Sequence, residues 1–166
     1  ESGDPDGRER GSAIHLMLEQ LTDNPVADSG RLFMAVAGLL EREAGDSDLQ
    51  AWWQEALQTW QDPTLAVVFD SGRYQQARNE VPLQYLDGGR LVYGVIDRLL
   101  VQDDSVLVID YKTHQSASRD TLPGLAATYR EQMRLYARGV AQLWPGRQVR
   151  SYLLFTACNR LVELDD

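Results

Sequence analysis

The sequence predicts an α/β fold in which a mixed central sheet is flanked by helices and the N-terminal part is helical. Apolar residues between Ile14 and Trp60 recur every three to four positions, which is the period of amphipathic helices. From Ala77 onward the period changes to two, which is typical of strands, and a long helical segment over residues 122–143 interrupts them. This order of elements indicates that the long helix packs on the sheet.

The composition is that of a single soluble globular domain. The chain has 166 residues, of which 43% are apolar and 25% are charged. No segment approaches the roughly 18 consecutive apolar residues that a membrane span needs, and the polar, acidic N-terminal stretch does not resemble a signal peptide. We therefore expect a cytoplasmic protein without a membrane partner. Its one cysteine, Cys158, excludes an iron–sulfur cluster held by several cysteines of this chain.

The first ten residues show no hydrophobic period and are predicted to be a flexible lead-in or linker before a domain over residues 11–166. Ser12 is the predicted N-cap of the first helix, and Asn24-Pro25 ends it. Residues 65–69 are apolar but too few to assign. Further predicted elements are helices over residues 29–43 and 46–61, strands from residue 77 to a turn at 87–89, over 90–101 and over 105–111, a helix over 122–143, and strands over 149–156 and 161–164.

Two ionisable side chains end a strand that is otherwise apolar. Residues 106–109 are apolar on both faces, which indicates a buried central strand, yet Asp110 and Lys112 follow directly. Because side chains alternate along a strand, these two residues share one face of the sheet. Taken alone, they are best explained as a simple ion pair.

The preceding strand brings a second carboxylate to the same place. If residues 103–104 form a two-residue turn, Gln102 lies opposite Ser105, and the same register places Asp97 opposite Asp110. Directly opposed residues have Cβ atoms about 4.5–5.5 Å apart, and like charges at that separation are destabilising. The two carboxylates therefore need a bound cation, or one of them must be protonated.

The cations that suit two carboxylates and a phosphate substrate are Mg²⁺ and, as its substitute, Mn²⁺. Lys112 cannot be a ligand, but it can orient or help deprotonate a water and offset charge on a pentavalent phosphate. The residues thus predict a catalytic set of Asp97, Asp110 and Lys112 for metal-dependent phosphodiester hydrolysis. The alternative is a structural Asp110–Lys112 ion pair with Asp97 facing solvent.

His15 is a further candidate ligand. It lies on the border of the apolar stripe of the first helix, next to Ile14. With Ser12 as the cap it is the third helical residue, where the helix macrodipole disfavours the imidazolium and leaves a neutral ring fit to bind metal. By itself, His15 is better explained as a packed or solvated residue.

Four motifs follow one another along the chain: Gly11-x-x-x-His15, Gly94-Val-Ile-Asp97-Arg98, Ile109-Asp110-Tyr111-Lys112-Thr113 and Gln132-x-x-x-Tyr136. In order and separation they resemble the RecB-type nuclease domain of the PD-(D/E)xK superfamily, over nearly the whole chain. The third motif after the second is the specific signal, and the outer two are persuasive only with it. Asp97 follows isoleucine where the superfamily name has proline, and Asp110 replaces glutamate, but both variants are familiar in the RecB branch.

The resemblance implies a restriction-endonuclease-like core and assigns roles to the site residues. It implies that His15, Asp97 and Asp110 bind the metal ion, with the backbone carbonyl of Tyr111 as a further ligand. Lys112 would be the catalytic lysine.

The resemblance also places Gln132 and Tyr136 near the site, where they would orient substrate or Lys112. Their spacing agrees, because residues i and i+4 share one helix face, and Tyr129 lies three residues earlier. The alternative is a polar–aromatic pair that packs the helix on the sheet. Glu80 is similar to a glutamate on the strand before the second motif in these domains, and we expect a supporting role for it.

In that family the domain commonly ends a helicase–nuclease polypeptide of the RecB or AddA kind, which processes double-strand breaks for recombinational repair. The resemblance implies a metal-dependent deoxyribonuclease, most readily an exonuclease, that is ATP-dependent when coupled to a helicase domain of the same polypeptide. A second subunit is a further expected partner.

The net charge of −9 fits DNA binding poorly, because DNA binders normally present a basic face. A neighbouring motor domain that grips the DNA would explain this charge. The alternatives are a catalytically inactive structural or interaction module and a stand-alone nuclease. Cleavage polarity, endonuclease or exonuclease action and strand preference stay open.

Overall fold

The computed structural model describes residues 4–165, which form the predicted α/β fold. The helices are α1 (Pro5–Asp23), α2 (Ser29–Leu39), α3 (Ser47–Gln61), α4 (Ala66–Phe69) and α5 (Leu122–Leu143), with single turns of 3-10 helix at Pro63–Leu65 and Ser71–Arg73. The strands are β1 (Gln76–Asp87), β2 (Arg90–Val101), β3 (Ser105–Lys112), β4 (Gln148–Phe155) and β5 (Arg160–Leu164). Within the described residues, no helix has both the length and the apolar character needed to cross a membrane.

The five strands form one mixed sheet in the order β1-β2-β3-β4-β5. β3 and β4 are parallel, and all other neighbours are antiparallel. A parallel pair needs a long crossover connection, which α5 provides between β3 and β4. The prediction of a mixed central sheet with the long helix packed on it is confirmed.

The sheet separates two apolar cores. Leu107 and Ile109 of β3 face the core beneath the N-terminal helices, whereas Val106 and Val108 face the core beneath α5. Every residue of β3 is buried, which confirms the predicted central strand. The candidate site at the end of β3 is therefore attached to the most covered strand of the molecule.

Helix α1 begins well before the predicted cap at Ser12. Asp4 is the N-cap and Pro5 the first helical residue, a favourable pair at a helix start. Residues 5–10 belong to this helix, so the predicted cap is wrong and these residues are not a flexible lead-in. Residues 1–3 lie outside the described part of the chain.

The buried Arg10 explains why a hydrophobic period does not reveal this helix start. Its guanidinium donates to both carboxylate oxygens of Glu55 in α3, at 2.8 and 2.7 Å, and to the carbonyl of Thr113 at 3.3 Å. Thr156, which directly follows β4, donates to the same Glu55 carboxylate at 2.8 Å. A polar network therefore ties the N-terminal helices to the ends of β3 and β4.

Helix α2 ends at Leu39, earlier than the predicted residue 43. Glu41 adopts the left-handed backbone conformation, with φ 54°, which is a common way to end a helix. Arg42 then turns back and pairs with Asp46 at the start of α3. The end of α2 is thus set by a backbone reversal that the apolar pattern does not contain.

The predicted register between β2 and β3 is confirmed, and it stops at an informative place. The ladder runs up to Arg98, which lies opposite Ile109. The same register brings Asp97 beside Asp110, at the point where β2 ceases to pair with β3 and continues with β1 alone.

The β1–β2 hairpin turns over at the same level. Asn79 of β1 donates to a side chain of α1, whereas Tyr85 of the same strand donates to a carbonyl of α5. Strand alternation would place both odd-numbered residues on one face. Between them Glu80 has φ 49°, in the left-handed region that few residues other than glycine adopt. Asp97 lies across from this reversal, within reach of both helical layers.

Candidate active site

Two buried carboxylates meet where β2 stops pairing with β3. Asp97 and Asp110 are 9% and 6% exposed, and each influences the ionisation of the other. The Asp97 carboxylate accepts the backbone N–H of Tyr111 at 2.8 Å. A side chain of β2 therefore bonds to the backbone of β3 just beyond the last ladder pair.

His15 of α1 contacts Asp97 from the helical layer. Its Nε2 lies 3.1 Å from Oδ2 of Asp97, and its Nδ1 lies 2.8 Å from the carbonyl oxygen of Gly11, one helical turn earlier. Burial, the largest influence, lowers the pKa of His15, but the Asp97 carboxylate and the Gly11 carbonyl together raise it to about 9. The ring is therefore an imidazolium at neutral pH.

The helix-dipole prediction of a neutral His15 is wrong. Because α1 begins at Pro5, His15 lies in the middle of the helix, and the macrodipole acts mainly within the first and last turns. The contact with Asp97, which is distant in the sequence, decides the protonation of the ring instead.

The two carboxyl groups ionise differently although both are buried. For Asp97, burial raises the pKa, but hydrogen bonds from His15 and Tyr111 outweigh it and hold the pKa below its usual value. For Asp110, burial and the neighbouring Asp97 charge outweigh the attraction of Lys112 and raise the pKa to about 7. The site thus holds one firmly ionised carboxylate and one that retains its proton up to about neutral pH.

Lys112 is the only lysine in the sequence. Its buried Nζ lies 2.8 Å from Oδ2 of Asp110, 3.5 Å from Oε1 of Gln132 and 3.8 Å from the centre of the Tyr129 ring. All other lysine-or-arginine positions are arginine, whose planar guanidinium is not equivalent to a compact ammonium. The chain therefore places its one compact, flexible cation at this site.

Gln132 and Tyr136 lie together on the face of α5 that covers the site. Gln132 accepts from Lys112 and donates to the Tyr136 hydroxyl at 3.3 Å. The Tyr136 ring also lies against Gly94, where a Cβ atom would come within 2.6 Å of the ring. The glycine that opens the Gly94-Val-Ile-Asp97 motif is thus explained by the close approach of α5.

Glu80 lies at the mouth of the site. It lines an open cleft of about 380 Å³ together with His15 and Asp97. Burial and the Asp97 charge raise the pKa of Glu80. The remaining lining residues all belong to α1: Gly7, Arg8, Gly11 and Ser12. The cleft opens the Asp97 part of the site to solvent between α1 and the hairpin.

Two residues near Lys112 have no role in the sequence-based prediction. The Tyr129 ring lies beside the ammonium, and the Tyr129 hydroxyl is 2.6 Å from Nε2 of His114. The spacing between Tyr129 and Gln132 does put both on one face of α5, so the sequence carries a signal for Tyr129. His114 lies in the loop after β3, where no periodic pattern identifies it.

The donor set suits a hard divalent cation, although it is not assembled as a ready metal site. Among residues 4–165, no three His, Cys, Asp or Glu side chains gather in a cluster that could hold a metal ion. Asp97 and Asp110 supply hard oxygen donors, and the Gly11 carbonyl engages Nδ1 of His15 so that Nε2 faces the carboxylates. The His15 imidazolium and the Lys112 ammonium neutralise the two carboxylates in this arrangement. The residues therefore fit a cation chemically, and its entry requires loss of the His15 proton.

A family model for the PD-(D/E)XK nuclease superfamily matches residues 1–163 of the chain. The chain therefore belongs to this superfamily, and the resemblance drawn from the motifs is confirmed. Nucleases of this superfamily generally use divalent metal ions.

Curated relatives are parts of larger enzymes, each a polypeptide of an ATP-dependent helicase/nuclease. The relative from Levilactobacillus brevis is 29% identical over 188 residues, which cover 98% of this chain and 14% of the relative. The relative from Geobacillus kaustophilus is 28% identical over 172 residues, covering 87% and 13%. That from Lactobacillus delbrueckii subsp. bulgaricus is 25% identical over 177 residues, covering 95% and 14%. The chain thus spans at most 14% of the length of these three relatives.

A solved structure supports the fold. A candidate exonuclease of Eubacterium rectale superposes with a TM-score of 0.57 and 13% sequence identity, covering 100% of this chain and 61% of that protein. At this identity, the similarity concerns the fold alone.

Proposed function

We propose that this domain is a divalent-metal-dependent DNA nuclease that hydrolyses phosphodiester bonds at Asp97, Asp110 and Lys112. The observation that carries the proposal is the meeting of two buried carboxylates with a single lysine at the end of the central strand. Membership in a nuclease superfamily supports the same reaction class.

In this proposal His15, Asp97, Asp110 and the backbone carbonyl of Tyr111 hold Mg²⁺, with Mn²⁺ as a substitute. The bound cation supplies a Lewis acid for the scissile phosphate and a more acidic water. The Gly11 carbonyl keeps the Nδ1 proton of His15 in place, so Nε2 is the nitrogen offered to the ion.

Lys112 acts on the reacting groups through its ammonium. It offsets the charge that develops on the phosphate, and it orients the attacking water by donating a hydrogen bond. Gln132 accepts from the same ammonium and limits the directions in which it points. Tyr136 supports Gln132, and Glu80 stands at the cleft where a DNA strand would enter.

We further propose that the domain acts within a helicase–nuclease for double-strand-break processing and recombinational repair in the cytoplasm. The similarity to helicase/nuclease polypeptides and the small share of their length that the chain spans support this setting. A helicase domain in the same polypeptide would bind and feed the DNA, and a second subunit would be a further partner. The net charge of −9 agrees, because the domain alone should bind DNA weakly. A tight, salt-resistant complex of this chain with DNA would contradict the tethered role.

The deciding experiment is digestion of linear and closed-circular DNA by this chain with Mg²⁺ or Mn²⁺. Asp110→Ala and Lys112→Ala should each abolish cleavage, whereas Asp87→Ala, which removes an exposed carboxylate paired with Arg138, should cleave like the parent. Cleavage of linear DNA alone would favour exonuclease action. Activity that survives both site substitutions would remove the catalytic assignment, and an inactive parent would support an inactive module of the same fold.

A further inference from the structure

The face of the Tyr129 ring lies against the Lys112 ammonium. Nζ is 3.8 Å from the ring centre, close enough for a cation–π contact. The other two neighbours of Nζ are Asp110 at 2.8 Å and Gln132 at 3.5 Å. The ammonium is therefore enclosed by a carboxylate from β3 and by an amide and an aromatic face from α5.

The ring itself is held in place from the far side. Its hydroxyl is 2.6 Å from Nε2 of His114, and the two rings are 5.7 Å apart at an interplanar angle of 38°. Tyr129 is also packed against the core beneath α5. The phenol thus spans the loop after β3 and the helix that covers the site.

We infer that Tyr129 is a positioning residue that orients the Lys112 ammonium through its aromatic face. A lysine side chain has several rotatable bonds, and Asp110 alone would draw the ammonium toward itself. A ring on the opposite side restricts the side chain and keeps the ammonium at the edge of the carboxylate pair. The role in catalysis rests on the proposed nuclease function, whereas the contact itself does not.

The single lysine makes this contact directly measurable. Lysine labelled with ¹³C at the ε position gives one lysine signal in the protein, because the sequence contains no other lysine. In a chelator, without added metal, the ring current of Tyr129 should shift the signal of the Lys112 ε-methylene protons upfield. A nuclear Overhauser effect between these protons and the Tyr129 ring protons should be present in the unsubstituted protein and needs no variant.

Two substitutions separate the ring from its hydroxyl. Tyr129→Phe keeps the aromatic face and should retain the upfield shift, whereas Tyr129→Leu should lose it. Tyr93→Leu, which removes an exposed tyrosine of the hairpin, is the control and should leave the Lys112 signal unchanged.

Kinetics then test the positioning role. In Tyr129→Leu, kcat should fall roughly tenfold with KM for DNA nearly unchanged, and Tyr129→Phe should restore most of kcat. A purely structural role would instead lower the unfolding temperature without displacing the Lys112 signal.

Three results would overturn the inference: no Overhauser effect in the unsubstituted protein, a Lys112 signal that Tyr129→Leu leaves in place, or a lost shift with unchanged kcat. If the parent does not cleave DNA, the proposed function fails and the catalytic role falls with it. The spectroscopic result would still stand or fall separately, so the two failures are distinguishable.

Discussion

The two sides of the site hold their carboxylates in opposite ways. On the α1 side, Asp97 accepts hydrogen bonds from His15 and from the backbone of Tyr111, and its pKa lies below the usual value. On the α5 side, Asp110 pairs with Lys112, and its pKa rises to about 7. Exposure does not explain the difference, since the two residues are 9% and 6% exposed.

The contrast shows that partners and order of ionisation, and not burial, decide the behaviour of each group. Once Asp97 is ionised, a second charge beside it is unfavourable, so Asp110 bears the repulsion of the pair. The α1 side is thus arranged to present metal ligands, whereas the α5 side is arranged to control charge and proton position near the reacting phosphate. The following substitutions test this division.

The largest effect should come from Lys112→Arg on the α5 side. Arginine keeps the charge, but its planar guanidinium does not fit among Asp110, Gln132 and the Tyr129 ring, so kcat should fall roughly 10²–10³-fold. The opposite exchange on the surface, Arg138→Lys, should leave kcat unchanged. Steady-state cleavage at saturating Mg²⁺ measures both variants, and a Lys112→Arg enzyme with normal kcat would show that any cation suffices.

On the α1 side, His15→Ala should act through the metal ion. The concentration of Mg²⁺ that gives half-maximal cleavage should rise roughly 10–100-fold, and most of kcat should return at high Mg²⁺. His114→Asn, which changes a histidine on the α5 side, should leave the Mg²⁺ dependence unaltered. A His15→Ala enzyme whose loss is not rescued by Mg²⁺ would erase the division between the two sides.

Stability without metal should change in opposite directions for the two carboxylates. The Asp110 carboxyl binds its proton more tightly in the folded protein than in the unfolded chain. Its contribution to stability is therefore lost as the pH rises through about 7, and Asp110→Asn should gain on the order of 1 kcal/mol above that pH.

Asp97 has the opposite sign, because its depressed pKa contributes stability that is present above the usual carboxyl pKa and lost in acid. Asp97→Asn should therefore lose roughly 1–3 kcal/mol at the same pH, since His15 and Tyr111 lose a charged acceptor. Urea unfolding in a chelator measures both variants. Equal destabilisation by the two substitutions would refute the contrast.

The smallest effects should come from the two glycines that bring the helices close. Gly94→Ala would place a Cβ atom 2.6 Å from the Tyr136 ring and should cost about 1–3 kcal/mol of unfolding free energy. Gly11→Ala meets only the Thr113 hydroxyl, at 3.1 Å, and alanine is favoured over glycine in a helix by up to about 1 kcal/mol, so the net change should be near zero. Thermal unfolding of both variants checks the order.

Several features of the site could be predicted because they depend on local pattern. The apolar run before Asp110 identifies the central strand, and the short turn at residues 103–104 sets a register that continues unchanged to Arg98 opposite Ile109. The motif spacing also leads to Gln132 and Tyr136, which the structure brings to Lys112 and to each other.

Other features could not be predicted, because their partners are distant in the chain. The start of α1 depends on a buried ion pair between Arg10 and Glu55, which carries no apolar period. The protonation of His15 depends on Asp97 and not on its position in the helix.

The sequence by itself determined the strand order around the acidic pair, the register that brings Asp97 to Asp110, and the motifs that identify the superfamily. Alternation and turn length are short-range properties, so they can be read from neighbouring residues. Only the tertiary structure decided which carboxylate is ionised, where the hairpin turns over at Glu80, and that an aromatic face lies against Lys112. These features arise where α1, the sheet and α5 pack together, and the free energy of a buried charge depends on every group around it.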